Sequence, residues 1–366
     1  MLFYITFTDF GNYYGTGLEK KLKGQMEALG EKLGDIYLTF CSGSMMYLMC
    51  GNDIVDKQPA VTRRDQILVL CNWLQKYGVS KTYIRYAHLD KWFIDLLKFQ
   101  KKYYIKTVLE IASYPYDKEM EDGILKTEDL CYRNEICKYV DRIATYSIDD
   151  IIWSVPCIKL LNGISEKSVS VSRRVREHKK IVMIAVSSMQ RWHGYERIIE
   201  GMHLYYKEGG LYDIRLSMVG NGPEEQYYKE LVEKYHLSAK VEFLGRISQQ
   251  ETECLDEQYA LSDIAIGTLG AYKTGFADAS PIKGAEYCAQ GIPFICAHED
   301  RRFPSDWKFV LRVPNNSEPI DMNDVVAFYE NIIGNKNYKE EMKRYVIEHL
   351  TWNIIMQPVV DYFLCS

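Results

Sequence analysis

Short apolar segments alternate with longer segments of helical period along this chain, in two successive series. In the first series, residues 2–8 (LFYITFT), 35–40, 82–87 (TYIRYA), 105–112 (IKTVLEIA) and 141–146 (DRIATY) have the length and composition of strands. Residues 17–29, 63–77, 90–103 and 122–139 have the spacing of helices, and a weaker pair of segments ends at Asn162-Gly163. The second series places strands at 180–187, 212–219, 240–245, 262–268 and 292–297, with helices at 194–207, 223–236, 248–259 and 281–290. Helices near 321–334 and 337–350, then a tail holding Trp352 and Tyr362, close the chain. Such alternation predicts parallel sheets with helices on both faces. Residues 165–179 (SEKSVSVSRRVREHK) are polar and lack an apolar period, which predicts a linker. The expected architecture is therefore α/β with two doubly wound domains, 1–164 and 180–345. Residues 346–366 are expected to pack back on the first of them. A length of 366 residues agrees, at about 150 residues per domain. Ligands in such sheets bind outside the carboxyl ends of the strands, and clefts between domains are favoured sites.

Composition removes several function classes. Lys and Arg number 45 against 50 Asp and Glu, a formal charge of −5, which argues against a nucleic-acid partner. No apolar stretch approaches the length of a membrane span, and the N-terminus has no basic leader region. The ten cysteines form no C-x-x-C pair and are expected to be buried thiols of a cytoplasmic protein. Tyr, at 29 residues, predicts wide semi-polar contact surfaces.

The segment 272–300, YKTGFADASPIKGAEYCAQGIPFICAHED, carries the most chemistry. Ser280 before Pro281 suits the N-cap and first position of a helix. The free N–H groups of that helix start, with its partial positive charge, can hold a diphosphate. Asp278 lies just outside the start, and Glu286 lies about 7.5 Å along the axis from Pro281. Two carboxylates so placed can accept sugar hydroxyls on either side of a bound diphosphate. Lys283, in the first turn, adds a cation. The bare acid spacing is unspecific, since 50 acids in this chain give about seven such pairs by chance. The specificity comes from context, a strand and a Gly-containing loop before the helix and Gly291-Ile292-Pro293-Phe294 after it.

Asp278-x7-Glu286 followed by Tyr287-x-Ala289-x-Gly291-Ile292-Pro293 resembles the E-x7-E region of family 4 retaining glycosyltransferases, with Asp in the first place. Further blocks agree in order: Trp192-His193-Gly194-Tyr195-x-Arg197-Ile198-Ile199-Glu200-Gly201, Val219-Gly220-Asn221-Gly222-Pro223, Val241-x-Phe243-x-Gly245 and Ser262-Asp263-Ile264. Upstream, Val140-Asp141-Arg142-x-x-Thr145-x-Ser147, Asn162-Gly163 and Gly15-x-Gly17 match the family's first domain. The variant is similar to those of bacterial capsule and exopolysaccharide clusters.

The resemblance implies a GT-B fold, two Rossmann-like domains facing across a cleft, and sugar transfer with retention from a nucleotide-diphosphate sugar. It implies a glycan or lipid-linked acceptor, a UDP-sugar rather than a GDP-sugar as donor, and no cofactor. Glu286 would bind the donor ribose, Asp278 the donor sugar, the backbone of Ala279, Ser280, Pro281 and Ile282 the diphosphate, and the main chain at Arg246 and Ile247 the base. Gly222 would let backbone approach the donor, while Gly15 and Gly17 would line the acceptor side. The family's Arg and Lys after the strand matching 180–187 are replaced here by Ser188 and His193, and Arg191 is the expected substitute, with Lys283 beside it. His88 is the nearest candidate for the family's first-domain histidine. No D-x-D exists to carry a divalent ion and the histidines do not cluster, so a metal-independent transfer is expected. Residues 90–106 carry five Lys against two Asp, with Trp92, Leu96, Phe99 and Tyr103 at helical spacing. This stripe reads as core-facing, or as peripheral contact with the inner face of an anionic membrane. The rival functions are a sugar-nucleotide epimerase of the same architecture and a non-catalytic glycan- or nucleotide-binding protein. A Rossmann oxidoreductase is disfavoured, since no G-x-G-x-x-G follows the strands at 2–8 or 180–187.

Overall fold

The computed structural model describes residues 1–9, 17–117, 120, 122–168, 179–247, 252–273 and 282–365. The chain divides into two units, Met1–Asn162 with Trp352–Ser366, and Gly163–Thr351.

The first unit runs β1 (Leu2–Asp9), α1 (Gly17–Leu33), β2 (Ile36–Ser42), β3 (Met45–Cys50), β4 (Asp53–Pro59), α2 (Arg63–Lys76), β5 (Lys81–Arg85), α3 (Lys91–Lys102), β6 (Lys106–Ile111), α4 (Ile124–Tyr132), β7 (Arg142–Thr145), β8 (Ile151–Ile152) and β9 (Val155–Lys159). These strands form one nine-stranded sheet in the order β4-β3-β2-β1-β5-β6-β7-β9-β8. The strands from β2 to β9 are parallel, as the alternation predicts. Both edges are antiparallel, which the alternation did not predict. The missed signal was local. Gly43-Ser44 and Gly51-Asn52 are two-residue loops between paired strands, with φ of 56° and 60° at the glycines. Positive φ at the first loop position is what a tight hairpin demands. The outer strand β4 is mostly exposed and carries Lys57 and Pro59, which discourage further pairing. The segment expected as one helix over 122–139 is α4 followed by a tighter 3-10 stretch, Arg133–Lys138.

One face of this sheet packs on α2 and α3 through Phe3, Ile5, Trp73, Phe93 and Leu97. Of the expected stripe on α3, Leu96 is fully buried, Trp92 and Phe99 pack partly against the core, and Tyr103 is exposed. The opposite face packs on α1 and on the last helix of the chain, Trp352–Leu364. That helix buries Trp352, Met356, Val359, Val360 and Phe363, one stripe of helical period. Gly24 of α1 admits the Trp352 ring, because a Cβ there would lie 2.0 Å from the indole Cδ1.

The second unit runs β10 (Lys180–Val186), α5 (Glu196–Lys207), β11 (Asp213–Val219), α6 (Glu225–Lys234), β12 (Val241–Gly245), α7 (Thr252–Ala260), β13 (Ile264–Ile266), α8 (Ile282–Ala289), β14 (Phe294–Cys296), β15 (Val310–Arg312), α9 (Met322–Ile333) and α10 (Tyr338–His349). Its six-stranded sheet is parallel, in the order β12-β11-β10-β13-β14-β15. Alternate residues of β10 feed two cores, Ile181, Met183 and Ala185 on one face and Ile184 on the other. The order is that of a doubly wound Rossmann sheet.

Asp141 and Asp263, each just before a strand, do the same job in the two units. Asp141 accepts the Thr107 N–H at 2.7 Å, and Asp263 accepts the Val182 N–H at 2.9 Å. Each therefore ties the start of its strand to a neighbouring strand. All ten cysteines are free, but only Cys41, Cys288 and Cys296 are buried, which corrects the expectation of buried thiols throughout.

Candidate functional site

In the second unit the strand order reverses between β10 and β13. The crevice outside the carboxyl ends of two such strands is the usual ligand position. The loop after β10 forms a 3-10 turn, Arg191–His193, and the loop after β13 forms another, Ala271–Lys273. Backbone bonds join them, Leu269 N–H to the His193 carbonyl at 2.9 Å and Gly270 N–H to the Trp192 carbonyl at 3.1 Å. Gly194 has φ of 66°, and a Cβ there would lie 2.5 Å from Gly270 N, so only glycine fits. Arg197 is buried and holds this end of the unit together. Its guanidinium donates to the carbonyls of Leu269, Pro314 and Glu318 and to Asn316 Oδ1. Lys273 pairs with Glu196 beside it. Much of the Trp192–Gly201 block is thus architecture around a crevice.

His193 is the buried side chain that reaches into the site. Its Nδ1 accepts the Gln190 N–H at 2.8 Å. A neutral ring with Nδ1 accepting carries its proton on Nε2. That Nε2 lies 2.9 Å from Nζ of Lys283, in the first turn of α8. Burial and then the Lys283 charge hold the imidazole down at about 3, so His193 is neutral at physiological pH. Burial pulls the Lys283 ammonium down to about 7, with the Glu286 carboxylate opposing. Glu286 lies one turn further along α8, half-buried, on the Lys283 side of the helix. With the His193 Nε2–H the donor of this contact, Nζ of Lys283 accepts at 2.9 Å as the neutral amine, which its lowered value allows. An oxyanion seated beside the pair draws a proton on to Lys283 and gives the ammonium and the Nε2–H a shared acceptor.

The other expected residues sort as follows. Arg191, the expected diphosphate partner, is solvent-exposed on its 3-10 turn, and Lys283 rather than Arg191 meets His193. The close approach required at Gly222 is to the protein itself, since a Cβ there would lie 1.8 Å from the Ser188 carbonyl oxygen. Gly220 is likewise packed on the Ser187 carbonyl. Both glycines of this turn admit the loop after β10. Arg246 and Ile247 follow β12, the first exposed and the second half-buried. Ile282 opens α8 and Gly17 opens α1. Asp278, Ala279, Ser280, Pro281 and Gly15 lie outside the described residues. In the first unit, His88 Nε2 lies 3.3 Å from Asp90 Oδ2. Asp90 caps α3 through the Phe93 N–H at 2.7 Å and also takes Arg63 Nε at 3.1 Å, so His88 leans on a carboxylate already committed to structure. What sequence reasoning missed is the Lys283–His193 contact and the part of Gln190, whose main chain sets the imidazole tautomer; 90 residues separate the pair in sequence.

A cavity of about 900 Å³ lined by Lys180, Arg215, Ser238, Lys240 and Leu261 lies toward the amino-terminal ends of β10 and β12, away from this crevice. No group of His, Cys, Asp and Glu among the described residues is placed to hold a metal ion. No helix among them is long and apolar enough to cross a membrane.

Residues 170–303 match the model of the family described as glycosyl transferases group 1. The chain is similar over its whole length to solved structures of low identity. A glycosyltransferase from Rickettsia africae is 14% identical, with 100% of this chain and 98% of that one covered and a TM-score of 0.66. HepE of Anabaena in complex with UDP-glucose is 11% identical, with 100% and 99% covered and a TM-score of 0.63. The trehalose-6-phosphate synthase OtsA is 11% identical, with 100% and 99% covered and a TM-score of 0.59. No curated protein sequence matches the chain. The fold is GT-B, built of two Rossmann-like units.

Proposed function

We propose that this protein is a retaining, metal-independent glycosyltransferase. It moves a hexose from a nucleotide-diphosphate sugar to a glycan or lipid-linked glycan in bacterial surface polysaccharide synthesis. The observation that carries this reading is the convergence of Lys283 and His193 at the β10/β13 switch point, with Glu286 one turn on, inside the segment that matches group 1 glycosyl transferases. The donor diphosphate sits beside this pair, so that Lys283 turns from acceptor to protonated donor and both nitrogens donate to it. Glu286 accepts the ribose hydroxyls, Asp278 the sugar hydroxyls, and the N–H groups opening α8 the phosphate oxygens. As the bond to the sugar breaks, charge gathers on the leaving diphosphate, and a fixed ammonium in a partly dry site stabilises it. Lys283 fills that role in place of the expected Arg191. A UDP-sugar is the favoured donor, in keeping with the UDP-glucose held by HepE. No D-x-D is available for a donor-bound divalent ion, which supports metal independence.

Contact of residues 90–106 with an anionic membrane falls to the exposed Lys98, Lys101 and Lys102 and to Tyr103 and Tyr104 just after α3, because Leu96 is used in the core. Co-sedimentation with anionic vesicles, lost on charge reversal of those lysines, tests that extension.

The main test is a thermal-shift screen of UDP-, GDP-, ADP- and dTDP-sugars, followed by product analysis of the stabilising donor. Release of nucleoside diphosphate with a product that keeps the donor's anomeric configuration supports retaining transfer. Isomerised donor without acceptor supports the epimerase, and tight binding without turnover supports a non-catalytic binder.

A further inference from the structure

The sheet of the first unit has its own switch point, between β1 and β5, where the chain steps to β2 on one side and returns on the other. Three charged side chains meet there. Lys21 is on α1, the helix that follows β1; Arg85 is the last residue of β5; Glu110 lies opposite Arg85 on β6. Glu110 is fully buried, Lys21 nearly so, and the Arg85 side chain is 16% exposed. The carboxylate is saturated. Its Oε1 takes Arg85 Nη1 at 2.6 Å and Lys21 Nζ at 3.3 Å, and its Oε2 takes the Tyr83 hydroxyl at 2.6 Å and Gln25 Nε2 at 2.8 Å. Gln25 Oε1 in turn accepts from Tyr4, and its amide also donates to the Tyr146 hydroxyl at 3.0 Å.

Among the described residues the charges do not balance. Two cations share one carboxylate, and the three phenols are held neutral, their ionisation pushed well up chiefly by burial. Lys21 is left with one long ion pair and the face of the Tyr146 ring, 3.7 Å away. A buried excess cation costs stability, and a helix packed on a sheet has no need of it. Residues that break a local rule in this way tend to mark function.

We propose that Lys21 and Arg85 form a receptor for an anionic group, a phosphate or a carboxylate, at the β1/β5 switch point of the first unit. In the transfer reaction proposed above, on which this step rests, the anion belongs to the acceptor. A lipid-linked or glycan phosphate and a uronate share the oxyanion chemistry. Desolvation already holds Lys21 down at about 8, Glu110 opposing, so an arriving anion also draws a proton on to it.

The experiment uses the full chain with UDP at saturation, to fill the second unit, and titrates inorganic phosphate or glucuronate by calorimetry and thermal shift. Wild type is expected to bind one of the two and to take up about half a proton at pH 8. Phosphate binding alone assigns a phosphorylated acceptor, and glucuronate binding alone a uronate. Lys21→Met is expected to bind the anion at least tenfold more weakly while melting no lower than wild type, because Arg85 and Glu110 then balance. Arg85→Gln is expected to weaken anion binding likewise. A Lys21→Met protein that fails to fold or melts lower refutes the excess-charge argument. Unchanged anion binding in both variants, or no binding in wild type, overturns the receptor. Failure of UDP to bind overturns the transferase reading instead, and titration without UDP still tests the cluster.

Discussion

Ligand-free Lys283 ionises near pH 7, and a diphosphate seated against it restores the proton. The affinity of a nucleotide sugar should therefore fall as pH rises. With the empty-site value near 7 and the bound value returned toward the ordinary 10.5, the binding constant scales as 1/(1 + 10^(pH − 7)). That is about tenfold weaker at pH 8 than at pH 6, and about tenfold weaker again at pH 9. The diphosphate of a nucleotide sugar has no ionisation of its own in that window, and the uracil N–H begins to ionise only at its upper end, a drift that Lys283→Met shares and that is subtracted. His193 contributes nothing, since it is neutral throughout. Titration calorimetry of UDP-glucose at pH 6, 7, 8 and 9, in buffers of differing ionisation heat, reads both the slope and the proton uptake. The expected uptake at pH 8 is about 0.9 proton. Lys283→Met should bind weakly at every pH and show no slope beyond that drift. The sign for folding follows from the same residue. Its folded value lies below its unfolded one, so the unfolded chain binds more protons between about 7 and 10.5, and this group's contribution to stability rises with pH across that window. A flat wild-type affinity, or a slope that survives in Lys283→Met, refutes the placement of the diphosphate on this lysine.

Glu286→Ala should weaken donor binding by about ten- to a hundred-fold, the worth of roughly 1.5–3 kcal/mol for a charged hydrogen bond, with an unchanged melting temperature. Lys283→Ala should lower kcat/KM by about 10² or more and Arg191→Ala by less than about tenfold, since only the first is held at the switch point; steady-state kinetics separates them. Turnover should persist in EDTA, and loss of activity that Mg²⁺ or Mn²⁺ restores would reverse that reading. Gly24→Ala should destabilise by about 1–3 kcal/mol in urea melts, because its Cβ collides with the Trp352 ring.

The period of the apolar residues was enough to place most strands and helices of both units, because helix and strand bury their faces at different spacings. It was blind to the two hairpin strands, whose signal lay in Gly43-Ser44 and Gly51-Asn52 rather than in any alternation. It placed the tail against the first unit but did not assign it a helix. A stripe led by Trp352 becomes a docked helix only where Gly24 leaves room for the ring. For the second unit, residue types and local spacing identified Lys283, Glu286 and His193 as candidates. They did not reveal that the first and last of these share a contact, or that Gln190 holds the imidazole in one tautomer. Local order in a chain follows from local pattern. Charge balance, proton position and donor convergence depend on which distant segments the sheet order brings together. The same cause hid Lys21, Arg85 and Glu110, three unremarkable residues in sequence that only the β1/β5/β6 adjacency makes into a buried, unbalanced cluster.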